Sequence, residues 1–364
     1  MSKNLQVTAT YVVSHLGLIF FLYPIDVIES TNEAHWMPVL CGFLFHLAII
    51  AVYLKALSYF KGQNIVNILL KKSKFLAWFV LLPALFYMSW IIVLAVRAFS
   101  EVLSIAILSN TPLWILMLLF LSVPGFMVLH GQIGGLLRLS VLLSFLFVVP
   151  VVFVMATSFQ NIDWHYFFPL WPSQGAFSFL AHSAFYKSLF AYTGGFLLLG
   201  FLPSYAEFKS RAIYAGSLIL LPSYLIAVYV PVLTLGEETT RQLQFPYLFI
   251  VDTIEINWLM FDRINVFLLL SLVAFGMFFI SLTFWQILCV IKLGMKDISP
   301  NYLVPGLIVV VFIVCLCIPD WKTTDKLFQW NTALRLYVAI ATPILLFITG
   351  WIHAKKSKVE LRKT

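Results

Sequence analysis

Two adjacent glycines, Gly194 and Gly195, lie in the middle of the apolar stretch FAYTGGFLLLGFLP at residues 190–203. Glycine loses more conformational freedom in a helix than other residues, so the pair predicts a local interruption of helical structure. An interruption leaves backbone amides and carbonyls without helical partners, and in apolar surroundings these need other protein groups or water to bond with. The pair therefore indicates a place where the backbone can offer hydrogen bonds to a small polar solute.

A second interruption is predicted by Gly17, near the centre of the apolar stretch at residues 8–28. Pro24 follows Gly17 by seven residues, and Pro203 follows Gly195 by eight. Transporters built from two inverted repeats carry such breaks at corresponding positions of each half, with the solute bound between them. The alternative is that both glycines only let neighbouring helices pack closely.

Other chemistry has little support in the sequence. No hydrolase elbow, zinc-protease motif, phosphate loop or dinucleotide loop is present. The histidines lack metal-ligand spacing, and we expect packing or interfacial roles for most of them, with His15 as the exception because it lies near mid-span. Cys315 and Cys317 point in different directions on a helix and have no nearby His or carboxylate. We expect no enzyme, no metal and no cofactor.

The elements that position the glycines follow from composition. The chain of 364 residues is 62% apolar and 10% charged, against about 25% charged in ordinary soluble domains. It is therefore an integral membrane protein. Stretches long enough to cross a bilayer predict ten spans in one transmembrane domain, at about residues 8–28, 38–57, 75–99, 112–129, 136–157, 182–205, 212–235, 264–291, 302–318 and 332–351.

Basic residues near span ends predict the orientation, because Lys and Arg are retained on the cytoplasmic side. Placing both termini in the cytoplasm puts most of the basic residues there: Lys3, Lys55, Lys61, Lys71, Lys72, Lys74, Arg138, Lys209, Arg211, Lys292, Lys296, Lys355, Lys356, Lys358, Arg362 and Lys363. Only Arg241, Arg263, Lys322 and Lys326 then fall outside. The net charge of +8 thus reflects topology, and we expect contact with membrane lipid and none with nucleic acid.

Three basic residues lie within or at the edge of spans: Arg97, Lys187 and Arg335. Arg97 can pair with Glu101 one turn later, or it can contact a ligand carboxylate or a partner subunit. Lys187 either extends to the membrane surface or has a role in a site.

The chain resembles the spore germination permeases, the B subunits of Ger-type germinant receptors, which belong to the amino acid, polyamine and organocation transporter superfamily. The resemblance covers most of the chain and is carried by GLIFFLYP at 17–24, EAHWMP at 33–38, VRAFSEVLSIAILSNTPLWIL at 96–116, HGQIGGLLR at 130–138, NIDWHYFFPLWPSQG at 161–175, TGGFLLLGFLP at 193–203, FPYLFIV at 245–251 and FDRINVFLLL at 261–270. Two positions depart from the family pattern. Ile19 stands where a second glycine is common, and Leu197 stands where a glutamate is frequent, so proton or cation coupling through that carboxylate is in doubt.

The resemblance implies an all-α integral membrane fold of ten transmembrane helices, in two five-helix inverted repeats with broken first and sixth helices (LeuT-like). The repeats would cover about residues 1–158 and 175–354, followed by a basic cytoplasmic tail at 355–364. It further implies a germinant-sensing subunit of the spore inner membrane or cell membrane. Its small-molecule germinant would be an amino acid or similar nutrient, and its partners the A subunit and the lipoprotein C subunit. The alternatives are a secondary solute transporter and an ion conduit gated by a ligand or by a partner.

The site expected at the two breaks combines backbone and side-chain groups. The first break is expected at residues 14–18, with Ser14, His15, Gly17 and Leu18 facing the solute, and the second is expected to contribute Tyr192, Thr193, Gly194 and Gly195. Tyr87 in the third span, with Phe279 and Thr283 in the eighth, should close the sides. Tyr87 can equally be a packed aromatic residue whose hydroxyl bonds to a neighbour.

Overall fold

The computed structural model describes residues 2–60, 62–173, 175–254, 265–293 and 298–360. Within these ranges the chain is helical and contains no strand. Six helices are long and apolar enough to cross a membrane, and a bent pair at the N-terminus makes seven. The protein is therefore an all-helical, multi-span membrane protein. Several residues used for span and orientation predictions lie outside the described ranges: Lys61, Arg263, Ile264, Lys296, Arg362 and Lys363.

Sixteen helices follow one another along the described chain. They are α1 (Lys3–Ile19), α2 (Tyr23–Ser30), α3 (Trp36–Ser58), α4 (Ile65–Lys72), α5 (Lys74–Ala106), α6 (Leu113–Leu143), α7 (Val149–Thr157), α8 (Ser183–Ser188), α9 (Phe190–Thr193), α10 (Leu198–Phe201), α11 (Ser210–Leu235), α12 (Glu237–Arg241), α13 (Pro246–Asp252), α14 (Asn265–Ile291), α15 (Pro300–Leu316) and α16 (Trp321–Glu360).

Two predicted spans merge into one helical run at residues 113–157, where a π-helical turn at Ser144–Val148 joins α6 to α7. Within α6, Gln132 has a φ of 45° and a ψ of −167°, which is far from helical geometry. The run is therefore divided at Gln132, between the predicted spans at 112–129 and 136–157.

The first span is broken at residues 20–22, after the residues 14–18 that the sequence predicted. Helix α1 continues without interruption through residues 14–18 to Ile19, and α2 then leaves it at an angle of 60°. The expected break at Ser14 to Leu18 is therefore wrong. Proline, not glycine, sets the position: the ring of Pro24 clashes with the helical carbonyl four residues earlier, at Phe20, whereas one glycine costs a helix only about 1 kcal/mol.

The sixth span is broken at the predicted residues. It consists of the three short helices α8, α9 and α10, and residues 194–197 between the last two are not helical. Gly194 itself keeps helical angles, with φ −61° and ψ −36°, and Gly195 does not adopt positive φ. Backbone conformation therefore does not require glycine at Gly195; the need for glycine there comes from the lack of room for a Cβ.

Gly17 serves close packing of α1 in the centre of the molecule. Every residue of α1 from Val13 to Ile19 is buried, and the helix packs on α6, α11 and α14. A Cβ at Gly17 would lie 3.1 Å from the carbonyl carbon, the carbonyl oxygen and Cβ of Phe275 in α14. Because two of these three atoms belong to the backbone, they cannot move aside by a rotamer change.

We predict that Gly17→Ala lowers stability by about 1–3 kcal/mol, the usual cost of overpacking a well-packed core. Thermal unfolding in detergent and abundance in the membrane measure the effect. The matched control is Gly306→Ala in α15, where a Cβ would meet nothing within 4 Å and stability should be unchanged or higher. Equal melting temperatures for the Gly17→Ala variant and the unsubstituted protein would contradict this account of the α1–α14 contact.

Candidate functional site

The two broken spans meet at the glycine pair. A Cβ on Gly195 would lie 2.5 Å from Ser14 Oγ and 2.7 Å from His15 Cε1. A Cβ on Gly194 would likewise be too close to the Leu18 side chain, and it would lie 3.5 Å from Phe279 Cε2. Residues from α1, α14 and the break before α10 therefore lie together around the glycine pair.

His15 carries an unused nitrogen at this point. Its Nδ1 lies 2.8 Å from the Tyr11 carbonyl oxygen, and a carbonyl only accepts, so Nδ1 carries the proton. Nε2 of the neutral ring is then an acceptor. It is buried and has no hydrogen-bond partner among the described residues. The site thus contains a free acceptor beside Gly195, which suits an ammonium or hydroxyl group of a solute.

Residues of the third and eighth spans lie near the glycine pair. Phe279 on α14 lies beside Gly194, and Thr283, buried on the same helix, donates to the carbonyl of Phe279 at 2.9 Å. Tyr87 on α5 lies near Thr193, and its buried hydroxyl makes no hydrogen bond with any described residue. All of these side chains are buried.

A network of tyrosine and histidine side chains holds the break in position, and sequence reasoning missed most of it. Tyr11 Oη lies 2.6 Å from His46 Nε2, and His46 Nδ1 donates to the Tyr192 carbonyl at 2.5 Å. Tyr224 donates to the Ala191 carbonyl at 2.9 Å. The signal in the sequence was the presence of polar aromatic residues deep in apolar spans, where an unpaired hydroxyl is costly.

Tyr192 links this network to the first span. Its hydroxyl lies 2.7 Å from Tyr23 Oη in α2 and donates to the Val39 carbonyl in α3 at 3.0 Å. Its ring stacks on Tyr224, with centroids 4.2 Å apart. Tyr192 therefore fixes α9 against three other helices, and its hydroxyl is already engaged by protein groups.

Lys187 does not extend to the membrane surface, so that interpretation is wrong. Its side chain is 8% exposed, and Nζ lies 2.8 Å from Oδ1 of Asp26, which is 1% exposed. It also forms an ion pair with Asp325, which is 42% exposed. These pairs join α2 and α8, which belong to the two broken spans, to the start of α16. Sequence reasoning missed Asp26 because its partner is distant in the chain.

Arg97 forms the local pair that its spacing allows. Its Nη1 lies 2.7 Å from Glu101 Oε2 one helical turn later, and Nη2 lies 3.4 Å from the Pro319 carbonyl oxygen. The interpretation as a local ion pair is confirmed.

Two open cavities adjoin the two ends of the broken sixth span. One, of about 310 Å³, is lined by Leu22, Lys187 and Asp325. The other, of about 370 Å³, is lined by Leu54, Leu199 and Pro203. Neither cavity is lined by Gly194, Gly195, Ser14 or His15.

Fold and site together define a multi-span membrane protein with a buried site at a break in its helices. Over residues 3–323 the chain matches the family described as "Spore germination protein". It is 20% identical over 359 residues to Spore germination protein B2 of Bacillus subtilis (strain 168), an alignment covering 95% of this chain and 94% of that relative. The chain belongs to the spore germination protein family, as a B-type membrane component. This family is not one of enzymes, and the resemblance inferred from sequence is confirmed.

We predict that Asp26→Asn strongly destabilises the protein, because removing one partner of a buried ion pair costs about 3–5 kcal/mol. Asp325→Asn should have a smaller effect, because Lys187 would still be paired with Asp26 and because Asp325 is partly solvated. Melting temperature in detergent and membrane abundance measure both.

The double variant Lys187→Met with Asp26→Asn should recover part of the loss, because no uncompensated charge then remains buried. Equal effects of the two single substitutions would show that the Lys187–Asp26 pair does not dominate this cluster.

Proposed function

We propose that this protein is the germinant-sensing membrane subunit of a spore germination receptor, which binds a small nutrient, most simply a zwitterionic amino acid, in the buried site at Gly195. The observation that carries the proposal is the meeting of two broken spans at Gly195, Ser14 and His15, with His15 Nε2 free to accept a hydrogen bond. Membership of the spore germination family supports the biological role.

The proposal includes the finer architecture expected from sequence. Ten spans would form two inverted five-helix repeats, at about residues 1–158 and 175–354, with both termini in the cytoplasm. Support comes from the breaks in the first and sixth spans and from Gln132, which divides the helical run at 113–157. The receptor partners would be an A subunit and a lipoprotein C subunit in the spore inner membrane.

A second candidate function, secondary transport of the same solute, is favoured by the breaks in the first and sixth spans. Discontinuous helices of this kind surround the solute sites of secondary transporters. Uptake of labelled amino acids into proteoliposomes would support transport. Binding without uptake would support a sensor.

We predict that an amino acid from a panel of amino acids, nucleosides and sugars raises the melting temperature of the purified protein, because ligands that bind only the folded state stabilise it. Gly195→Leu should abolish this shift, since its side chain would occupy the space beside Ser14 and His15. Gly195→Ala should already weaken it, because its Cβ would lie within 2.7 Å of both residues.

The control for these variants is Gly306→Ala, which should bind like the unsubstituted protein. Membrane abundance separates loss of binding from loss of folding. A normal ligand shift in the Gly195→Leu variant would overturn the proposed site, and a panel without any ligand would favour a purely structural subunit.

A further inference from the structure

Arg335 on α16 is a buried cation with unused hydrogen-bond donors. Its side chain is among the largest fully buried ones, at 1% exposure. All of its hydrogen bonds come from Nη2, which donates to the carbonyls of Tyr186 at 2.9 Å and Lys187 at 3.0 Å and to Thr332 Oγ1 at 2.9 Å. Nε and Nη1 are buried without a partner among the described residues. One edge of the guanidinium is therefore free.

The free edge lies in a group of unsatisfied polar side chains. Asn331, one helical turn before Arg335 and 4% exposed, has no partner for either amide atom. The buried hydroxyl of Tyr87 on α5 is likewise unpartnered. Helix α5 packs on α16 on both sides of Tyr87, through the contacts of Trp90 with Leu327 and of Phe79 with Tyr337. Buried polar groups in folded proteins almost always have partners, so several at one place call for water, an ion or a ligand.

This group lies against the sixth span. Arg335 bonds to the carbonyls at the end of α8, and α9 packs on α16 through Phe190 and Phe328, whose ring centroids are 5.6 Å apart. Helix α9 ends at Thr193, two residues before Gly195.

The buried charges near Arg335 do not balance. Arg335 and Lys187 are two neighbouring cations, because Arg335 donates to the Lys187 carbonyl. Among the described residues, Arg335 forms no ion pair, and the buried Asp26 is paired with Lys187. Asp325 is partly solvated. An isolated buried cation is costly, so the Arg335 edge favours a negative group.

We propose that the Nε–Nη1 edge of Arg335, with Tyr87 and Asn331, binds the carboxylate of the solute. The side-on edge presents two parallel N–H donors, which is the geometry that binds a carboxylate bidentately. The inference rests on the proposed function and adds a ligand class to it: molecules with a carboxylate are bound, and their amides are rejected.

Arg335 also satisfies two carbonyls at the end of α8, as cations do at helix C-termini. That role uses only Nη2 and does not depend on which solute is bound. Measuring the affinity for different ligands therefore separates the two roles better than measuring stability does.

The experiment measures melting-temperature shifts of the purified full-length protein with each common amino acid, with the matching carboxamide, and with propionate and propionamide. Loss of a charge-assisted, bidentate contact should weaken binding of the carboxamide at least about tenfold. Tyr87→Phe and Arg335→Lys should reduce the ratio between acid and amide affinity. Arg97→Lys, a second buried arginine that is paired with Glu101, is the matched control and should leave the ratio unchanged.

Each outcome is decisive. Equal binding of acids and amides overturns the carboxylate site and leaves the proposed function intact. Binding of propionate but of no amino acid supports the carboxylate site and contradicts the proposed nutrient. A panel in which nothing binds overturns both. An unchanged ratio in the folded Tyr87→Phe and Arg335→Lys variants, or a ratio lost in Arg97→Lys, assigns the carboxylate to another residue.

Discussion

Backbone groups released by a break in a membrane helix must find partners inside the protein, and this constraint organises the structure around the sixth span. The carbonyls of Tyr186 and Lys187 accept from Arg335. Farther along, side chains from α11 and α3 bond to the carbonyls of Ala191, Tyr192 and Leu197. Four separate side chains on three helices thus replace the missing helical hydrogen bonds. Without them the broken span would carry a cost of several kcal/mol for each open group.

The same donors determine what remains for a ligand. Because the carbonyls of residues 191 and 192 are occupied, the break does not offer these groups to a solute. The free groups are side chains around it: His15 Nε2, the Tyr87 hydroxyl and one edge of Arg335. The site therefore differs from a simple picture in which unwound backbone alone binds the solute. It is a buried polar region whose free hydrogen-bonding groups come from α1, α5 and α16.

The ion pairs of Lys187 join α2, α8 and α16 beside the 310 Å³ cavity, which Lys187 and Asp325 line. The two broken spans are thus held together by one buried cation. Its charge is compensated by the buried Asp26 and the partly exposed Asp325.

Composition and hydropathy by themselves determined the all-helical membrane class, most span positions and the break at Gly194 and Gly195, because these depend on local helix propensity and on apolar run length. The Arg97–Glu101 pair was also predictable, since its partners are one turn apart. The break of the first span was misplaced because the prediction gave more weight to Gly17 than to Pro24. The clash of Pro24 with the preceding helical turn is the stronger local effect. The partner of Lys187, the Tyr11–His46–Tyr192 network and the role of Arg335 were decided only by the tertiary structure. Each joins residues far apart in the chain, and a single sequence contains no measure of which distant polar groups will lie within hydrogen-bonding distance once the helices pack.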